Sequence, residues 1–333
     1  MDRITLSCGS GGRMMHQLID SLFMKEFSNS ILSQRKDSAI LKLGDEKIAF
    51  TTDTYVVDPI FFPGGDIGSL AVNGTINDIS VCGAKPIFIS LGLVIEEGLP
   101  KAVLDRVIKS VGAASRAAGV KVVTGDTKVV ERGSADKIFI NTSGIGKVSY
   151  ENLSVGKIKP GDVVLVSGPI GDHAISVLSV REGIAFRAKV KSDSAPLNGL
   201  IFQALKVSKN IAFMRDPTRG GLATTLNEIT KLSGFGIALE EKEIPVREGV
   251  REACELLGLD PLYLACEGRV VIIVSKNDAA KVLSAVRKSR EGRAARIIGT
   301  VTKEHKGRVY LNTLAGSSRV LDMLSGEQLP RIC

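Results

Sequence analysis

Two hydrophobic periods alternate along the first half of the chain. Runs of β-branched and aromatic residues predict strands: two around the turn Gly44-Asp45 within 41–57, and one each at 86–95, 120–130 and 137–146. Between these runs, apolar residues recur at helical spacing over 69–84 and 100–119. The second stretch starts at Pro100 and ends at Gly119, as expected for the two ends of a helix. We therefore predict a first unit in which strands and helices are mixed.

The pattern resets at the turn sequence IKPGD, residues 158–162, and a second block of similar character follows. Its predicted elements are strands at 163–168, 270–275, 296–301 and 308–312, and helices at 172–183, 200–208, 220–234, 246–258 and 277–289. The sequence thus predicts a mixed α/β protein with two domains. Its predicted parts are a glycine-rich flap and helix (1–36), a first domain (37–150), a second domain (158–305) and a flexible tail that carries Cys333 (313–333).

The composition is that of a globular protein with a large core. Hydrophobic residues make up 44% of the 333 positions. The sequence contains no run of 18 apolar residues, so it predicts no membrane span. The first residues lack the apolar segment of a secretion signal, so we expect a cytoplasmic protein. The five cysteines form no CxxC pair and the three histidines are scattered, which argues against disulfides and against zinc or iron–sulfur sites.

The formal net charge is +8, and basic residues are densest between Lys288 and Arg308. A nucleic-acid-binding face would need aromatic residues for base stacking. Here tryptophan is absent, aromatic residues make up only 5%, and Glu291 and Glu304 interrupt the basic run. An anionic small molecule or an acidic partner protein is the simpler explanation for this charge.

Three aspartates stand at predicted strand positions or on a helix that contains glycine: Asp53 in TTDTYV, Asp78 in NGTINDIS and Asp126 in TGDTKV. Carboxylates grouped without histidine or cysteine favour a hard cation, above all Mg²⁺, and Mg²⁺ commonly accompanies phosphates. The alternative for each aspartate alone is that it caps a helix or a turn. Taken together, the three indicate a metal site.

Two glycine-rich stretches lead directly into helical patterns, CGSGGRMMHQLI (8–19) and DPTRGGLATTLNEI (216–229). Backbone N–H groups at such a place can bind an anion, although neither stretch is a P-loop or a dinucleotide fingerprint, and each could be only a helix start. Lys128 lies two residues after Asp126, so both side chains point to the same face of a strand. The two could bind a phosphate group or form only a surface ion pair. Glu267 precedes an apolar strand, as a general base or a polar cap.

Several of these motifs together resemble a known family. The stretch TTDTYVVDPIFFPGGDIGSLAVNGTINDISVCGAKP, with TGDTKV and DPTRGGLATTLNEI, is similar to the PurM-like, AIR synthase-related family of ATP-dependent enzymes. The resemblance extends from about Cys8 to Arg308. The final PRIC resembles the hydrogenase-maturation branch of this family, in which the functional cysteine is the last residue.

The resemblance implies a two-domain homodimer whose first domains form a shared β-barrel, with ATP and Mg²⁺ in a cleft near that interface. The metal ligands that it implies are Asp53, Asp78, Asp126 and Asp216. The implied nucleotide-site residues are Gly11, Gly12, Asp53, Asn73, Asn77, Asp78, Asp126 and Arg219. The implied catalytic residues are Cys333, Lys128 and Glu267.

The activity implied by the branch is a dehydration. The Cys333 thiol would receive a carbamoyl group from the carbamoyltransferase HypF, and ATP would drive conversion of the S-carboxamide to a thiocyanate. The cyanide would then pass to iron on a HypC–HypD complex for nickel–iron hydrogenase. Two alternatives stand beside this reading. One is another PurM-like enzyme, of the selenophosphate or aminoimidazole ribonucleotide synthetase type, with an incidental terminal cysteine. The other is a passive carrier of a loaded tail.

Overall fold

The computed structural model describes residues 3–27, 29–184, 190–326, 329 and 332. Its elements alternate between helix and strand in two domains, which confirms the predicted mixed α/β architecture. Within these residues, no helix has the length and apolar character needed to cross a membrane.

The first domain is built on a five-stranded sheet. In chain order its elements are α1 (Arg13–Leu18), α2 (Met24–Phe27), β1 (Ala39–Leu43), β2 (Glu46–Tyr55), β3 (Phe61–Phe62), β4 (Gly65–Asp66), α3 (Ile67–Val81), β5 (Ala84–Glu96), α4 (Lys101–Ala118), β6 (Lys121–Val130) and β7 (Ile138–Val148). The sheet order is β1-β2-β7-β5-β6, and only the β5–β6 pair is parallel. Helix α3 packs on one face of the sheet, and α4 packs against α3.

Helix α3 is buried on almost every side, which is why its sequence shows no polar face. Its start is fixed by a capping box, in which the Asp66 carboxylate accepts from the backbone N of Ser69 and the Ser69 hydroxyl lies 3.0 Å from the backbone N of Asp66. Asn77 then joins α3 to the second domain. Its amide nitrogen donates to the carbonyls of Ala195 (3.1 Å) and Glu267 (3.3 Å).

The second domain holds a seven-stranded sheet. In chain order its elements are β8 (Val163–Val166), α5 (Asp172–Arg181), α6 (Asn198–Val207), β9 (Ile211–Arg215), α7 (Gly221–Ser233), β10 (Gly236–Glu240), α8 (Glu248–Leu257), β11 (Val271–Val274), α9 (Lys276–Arg287), β12 (Arg296–Thr302), β13 (Val309–Asn312) and β14 (Ser318–Leu321). The order is β14-β13-β10-β12-β8-β11-β9, and only β10 and β13 run parallel. Two hydrophobic clusters cover the two faces of this sheet.

The segment predicted as a flexible tail, 313–333, contains regular structure in its described part. Strand β14 pairs with β13, with Val309 opposite Leu321, and extends the second sheet. Further on, Ile332 is only 5% exposed and lies in a core that also contains Ile67, while Leu329 packs against that core. The short run SRVL, exposed at all positions but Leu321, has little periodicity of its own, so its strand forms only through pairing with β13. Cys333 lies outside the described residues.

Candidate active site

An acidic cavity of about 170 Å³ lies between α3, the end of β2 and the loop after β9. Four of the residues that line it belong to the second domain, so the cavity is formed only when the two domains pack together. It is lined by Asp37, Asp53, Thr54, Tyr55, Gly74, Asp78, Asp216, Thr218, Arg219 and Glu267.

Three carboxylates meet at this cavity. Asp37, Asp78 and Asp216 each offer an oxygen within 4.8 Å of the other two. Asp37 lies two residues before β1, Asp78 lies in the last turn of α3, and Asp216 directly follows β9. Arg215 fixes one of them, because its guanidinium lies 2.8 Å from Asp37 and 2.9 Å from Glu228.

Burial and mutual repulsion make these carboxylates hard to ionise together. Burial, followed by the charges of Asp53, Asp216 and Asp37, raises the pKa of Asp78 well above its usual range. Burial and then Asp37 raise the pKa of Asp216 to about 8. A divalent cation would relieve this repulsion, and three carboxylate oxygens are a donor set that suits Mg²⁺. The residues present therefore fit a magnesium site.

Asp53 and Tyr55 form the neighbouring wall. The Tyr55 hydroxyl donates to Asp53 at 3.1 Å. Burial raises the pKa of Asp53, and the positive charge of Arg219 opposes this shift. Gly74 makes the arrangement feasible, because a Cβ at that position would lie 2.2 Å from the Tyr55 hydroxyl oxygen. This contact gives a packing reason for the glycine in NGTINDIS.

Glu267 is the most deeply buried acid at the cavity, with only 3% exposure. Its Oε1 atom has no hydrogen-bond partner among the described residues. Burial, reinforced by the charges of Asp216 and Asp193, raises its pKa well above the usual value. An unpartnered buried carboxyl oxygen beside a cavity is suited to exchange a proton with a bound molecule.

The amino-terminal glycines lie against the same region. Gly11 adopts a left-handed conformation (φ +78°), and a Cβ there would lie 2.7 Å from the Cβ of Arg219. Arg219 in turn donates to the carbonyl of Gly9 at 3.3 Å. A Cβ on Gly12 would lie 2.4 Å from the carbonyl oxygen of Leu324. The glycine-rich segment therefore packs on the second domain next to the acidic cavity.

Known proteins share both the fold and this arrangement of the chain. The family model described as AIR synthase related protein, N-terminal domain, matches residues 35–148, and its C-terminal counterpart matches 159–312. Carbamoyl dehydratase HypE of Azotobacter vinelandii is 52% identical over 326 residues, which cover 98% of this chain and 96% of that protein.

The chain belongs to the HypE family of carbamoyl dehydratases.

Solved HypE structures agree with this assignment. The HypE of a crystallised HypE–HypF complex superposes with a TM-score of 0.88 at 48% identity, covering 92% of this chain and 99% of that chain. A HypE crystallised in complex with ATP superposes with a TM-score of 0.84 at 49% identity, covering 99% and 100%. The two-domain AIR synthase-related fold expected from the sequence is thereby confirmed.

Within this HypE-family chain, the structure brings together only part of the predicted site. Asp53, Asp78, Asp216, Arg219 and Glu267 all line the acidic cavity. Asn73 and Asn77 do not line it. The Asn77 amide is taken up by contacts between the domains, since its oxygen also accepts from the backbone N of Leu197 at 2.8 Å. The nucleotide contacts predicted for these two asparagines remain predictions.

Asp126 and Lys128 stand apart from the cavity. They pair with each other at 2.7 Å on β6, and this lysine lowers the pKa of Asp126. In the sheet, Gly92 lies opposite Asp126 and Val94 lies opposite Lys128. Directly opposed residues share a face. The exposed Val94 belongs to the face that α3 leaves open, so both charged residues project from the side opposite the acidic cavity.

Sequence reasoning missed Asp37 and Tyr55. Asp37, in RKDSAI, resembles an ordinary polar residue at a strand start, and only the fold shows that it meets Asp78 and Asp216. The one available signal was its place two residues before a strand. Cys333, the predicted reacting residue, lies outside the described part of the chain.

Proposed function

We propose that this chain is an ATP-dependent carbamoyl dehydratase that converts an S-carboxamide on its own Cys333 to a thiocyanate. The observation that carries the proposal is the buried, unpartnered Glu267 carboxyl beside a three-carboxylate cavity, in a chain of the HypE family. The seated position of Ile332, one residue before Cys333, supports a substrate that the chain presents to itself.

ATP and Mg²⁺ are the proposed cosubstrate and metal. Asp37, Asp78 and Asp216 would hold Mg²⁺, with Asp53 beside them. When bound, Mg²⁺ would offset the negative charge of the phosphates. Arg219 and the adjacent Gly11-Gly12 segment offer a cationic group and backbone N–H groups to the phosphate oxygens. The ATP complex of a HypE at 49% identity supports this assignment.

The reaction requires that the carboxamide oxygen leave as phosphate. The oxygen attacks the γ-phosphorus of ATP, its new O–P bond forms, and ADP departs. The C–O bond then breaks as nitrogen loses its two protons, giving a C≡N bond and inorganic phosphate. Ionised Glu267 would accept a proton from nitrogen, and the high pKa of this carboxyl makes its anion a stronger base. A lysine near the phosphoryl group would offset charge in the transition state.

Lys128 can supply that charge only from a second chain, so we infer a homodimer. The open face of the first sheet presents a cross-strand row of Phe50, Ile145 and Phe88, which are 38%, 39% and 42% exposed. Such a row on the same face as Asp126 and Lys128 supports a partner that covers it. Because β6 is an edge strand of its sheet, we propose that the partner's Asp126–Lys128 pair reaches the acidic cavity of the first chain around that edge.

The proposed partners follow from the reaction. HypF would carbamoylate Cys333, in line with the HypE–HypF complex crystallised for a relative. A HypC–HypD complex would receive the cyanide on iron. These exchanges would occur in the cytoplasm, and they involve neither nucleic acid nor membrane.

Intact-protein mass spectrometry tests the proposal. The protein is incubated with a HypF, carbamoyl phosphate and Mg-ATP, and the modified peptide is mapped. We expect a carbamoyl adduct on Cys333 that loses one water when ATP is present. ATP turnover on a free small substrate after Cys333→Ala would instead favour another PurM-like enzyme. A stable adduct that ATP leaves unchanged would indicate a passive carrier.

A further inference from the structure

His173 is a fully buried histidine outside the acidic cavity. It is the second residue of α5, and its ring stands edge-on to Phe62 at 5.2 Å between centroids. Both ring nitrogens have a partner: Nδ1 lies 2.8 Å from the Ser192 hydroxyl, and Nε2 lies 2.8 Å from the carbonyl oxygen of Ile332. Sequence reasoning assigned this histidine no role.

The partners determine where the ring proton lies. A carbonyl oxygen can only accept, so Nε2 carries the hydrogen and donates it to Ile332. Nδ1 then accepts from the Ser192 hydroxyl, whose oxygen also accepts from the backbone N of Ser194 at 3.0 Å. Burial lowers the pKa of His173, in agreement with a neutral ring. The Ser192 hydroxyl at Nδ1 therefore orients the ring so that Nε2 donates to the Ile332 carbonyl.

The acceptor belongs to the end of the chain. The Ile332 carbonyl is part of the planar peptide unit that joins residues 332 and 333, so a hydrogen bond to it restrains the rotation of that unit. The Ile332 side chain is held as well, in the core that contains Ile67 and Leu264. A polar and an apolar contact thus act together on the residue next to the proposed reaction site.

The loop that orients His173 also holds Glu267. Next to Ser192, the Asp193 carboxylate accepts from the backbone N of Glu267 (3.3 Å) and of Gly268 (3.1 Å). The backbone N of Ser192 donates to the carbonyl of Pro63 at 2.8 Å, which ties this loop to the first domain. Consecutive residues of one loop therefore position the histidine that contacts the tail and the acid that lines the cavity.

We propose that His173 is a positioning residue that seats the chain's own carboxyl-terminal segment by donating its Nε2 hydrogen to the Ile332 carbonyl. Through the loop of Ser192 and Asp193, this contact fixes the tail in register with Glu267. The contact recognises the main-chain carbonyl of Ile332 together with the apolar side chain of the same residue, which lies in the core. It therefore fixes the position of the backbone at this residue. This inference rests on the proposed dehydratase function.

The test compares His173→Leu, which removes the donor, with His173→Gln, whose amide can reach the same acceptor. Ser192→Ala removes the orienting hydroxyl. Ser176→Ala is the matched control, because its hydroxyl, on the same helix as His173, donates to the Pro63 carbonyl and not to the described tail residues 329 and 332. Each variant is first carbamoylated by a HypF. Water loss is then followed in a single turnover with Mg-ATP by mass spectrometry.

We expect His173→Leu to slow water loss about tenfold or more, from the loss of one buried hydrogen bond to the tail. Ser192→Ala should slow it by a smaller factor, and His173→Gln should recover most of the rate. Carbamoylation by HypF and binding of an ATP analogue should stay within about twofold of wild type, which a general structural defect would not allow. A His173→Leu protein that dehydrates at the wild-type rate, or a His173→Gln protein no faster than it, overturns the proposal.

A second measurement separates this inference from the proposed function. Carboxypeptidase digestion of the uncarbamoylated protein reports how often the terminal residues leave their seat. We expect release from His173→Leu to be about tenfold faster than from wild type or Ser176→Ala. This outcome is required even if wild type fails to dehydrate the carboxamide. Equal release rates would refute the seat while leaving the dehydratase assignment intact.

Discussion

In the second domain, strands β8 and β11 are buried on both faces, whereas in the first domain β6 exposes all but the last of its residues. The second sheet is covered by helices and loops of its own chain on either side. The first sheet has α3 on one face and an open face that carries Phe50, Phe88 and Ile145.

This contrast separates two halves of the proposed chemistry. The acidic cavity forms within one chain, where α3 meets the second domain. The Asp126–Lys128 pair lies on the uncovered side of the first sheet. The self-contained region can be tested by changing single buried acids, and the open region by changing the residues that would face a second chain.

The largest effect is expected when two variants, one altered in each region, are combined in a mixed dimer. Asp78→Asn in the cavity and Lys128→Ala on the open face should each slow dehydration at least about 100-fold, because each removes a charge that binds or stabilises the phosphoryl group. After unfolding and refolding of a 1:1 mixture, random pairing in a two-fold dimer would restore about a quarter of the sites. Single-turnover rates of the mixture measure this.

Complementation requires that one site contain Asp78 of one chain and Lys128 of the other. Separately refolded variants, mixed only afterwards under conditions without exchange, serve as the control and should stay inactive. A mixture that recovers no activity, although both variants dimerise, would place Lys128 in the site of its own chain or outside it.

The next effect concerns the open face alone. Phe88→Asp introduces a charge into the exposed apolar row and should weaken self-association at least about 100-fold, because a buried unpaired carboxylate is costly. Ile108→Asp, in α4 of the same domain and similarly exposed at 40%, is the matched control. Sedimentation velocity should show a monomer for the first variant and a dimer for the second. If both variants were dimers, this face would not be the interface.

A smaller effect is expected from closing the space beside Tyr55. Gly74→Ala should lower the free energy of unfolding by about 1–3 kcal/mol, because its Cβ would lie 2.2 Å from the Tyr55 hydroxyl. Gly199→Ala is the control in helix α6, where no atom lies within 4 Å of the added Cβ. That change should stabilise the protein by up to about 1 kcal/mol. Chemical denaturation of both variants provides the comparison.

The smallest effect is expected from the ionisation of Asp216. Its pKa of about 8 lies above the ordinary carboxyl value, so the folded state holds the proton more tightly than the unfolded chain does. The free energy of unfolding without a divalent cation should therefore fall as pH rises from about 4 to about 8. Asp216→Asn should flatten this dependence, by at most about 1.4 kcal/mol per pH unit for the one proton removed.

Added Mg²⁺ supplies the complementary measurement. It should raise the melting temperature of wild type at pH 8 and have little effect on Asp216→Asn, because the variant lacks one of three carboxylate ligands. Equal stabilisation of the two proteins would remove Asp216 from the metal site.

The sequence allowed the helices and most long strands to be predicted, since each carries its own hydrophobic period. It also indicated Asp78, because a carboxylate in a glycine-containing helical segment is conspicuous, whereas Asp216 came only from the resemblance to the family. Asp37 escaped notice because its neighbours are distant in sequence. Lys128 was predicted to share a face with Asp126, but which side of the sheet that face occupies depends on where α3 packs. Strand β14 depends on pairing with β13, so local propensity did not indicate it.

The burial of Ile332 bears on how the protein is made. The core that this residue completes also contains Ile67 and Leu70, which are synthesised some 260 residues earlier. That core stays unfinished until residue 332 has been synthesised and has left the ribosome. Trimming even a few residues from the carboxyl terminus would leave a hydrophobic gap worth about 1.5–3 kcal/mol for Ile332 alone. Truncated proteins should therefore be scarcer in the cell than a Cys333→Ala protein, for reasons of folding rather than catalysis.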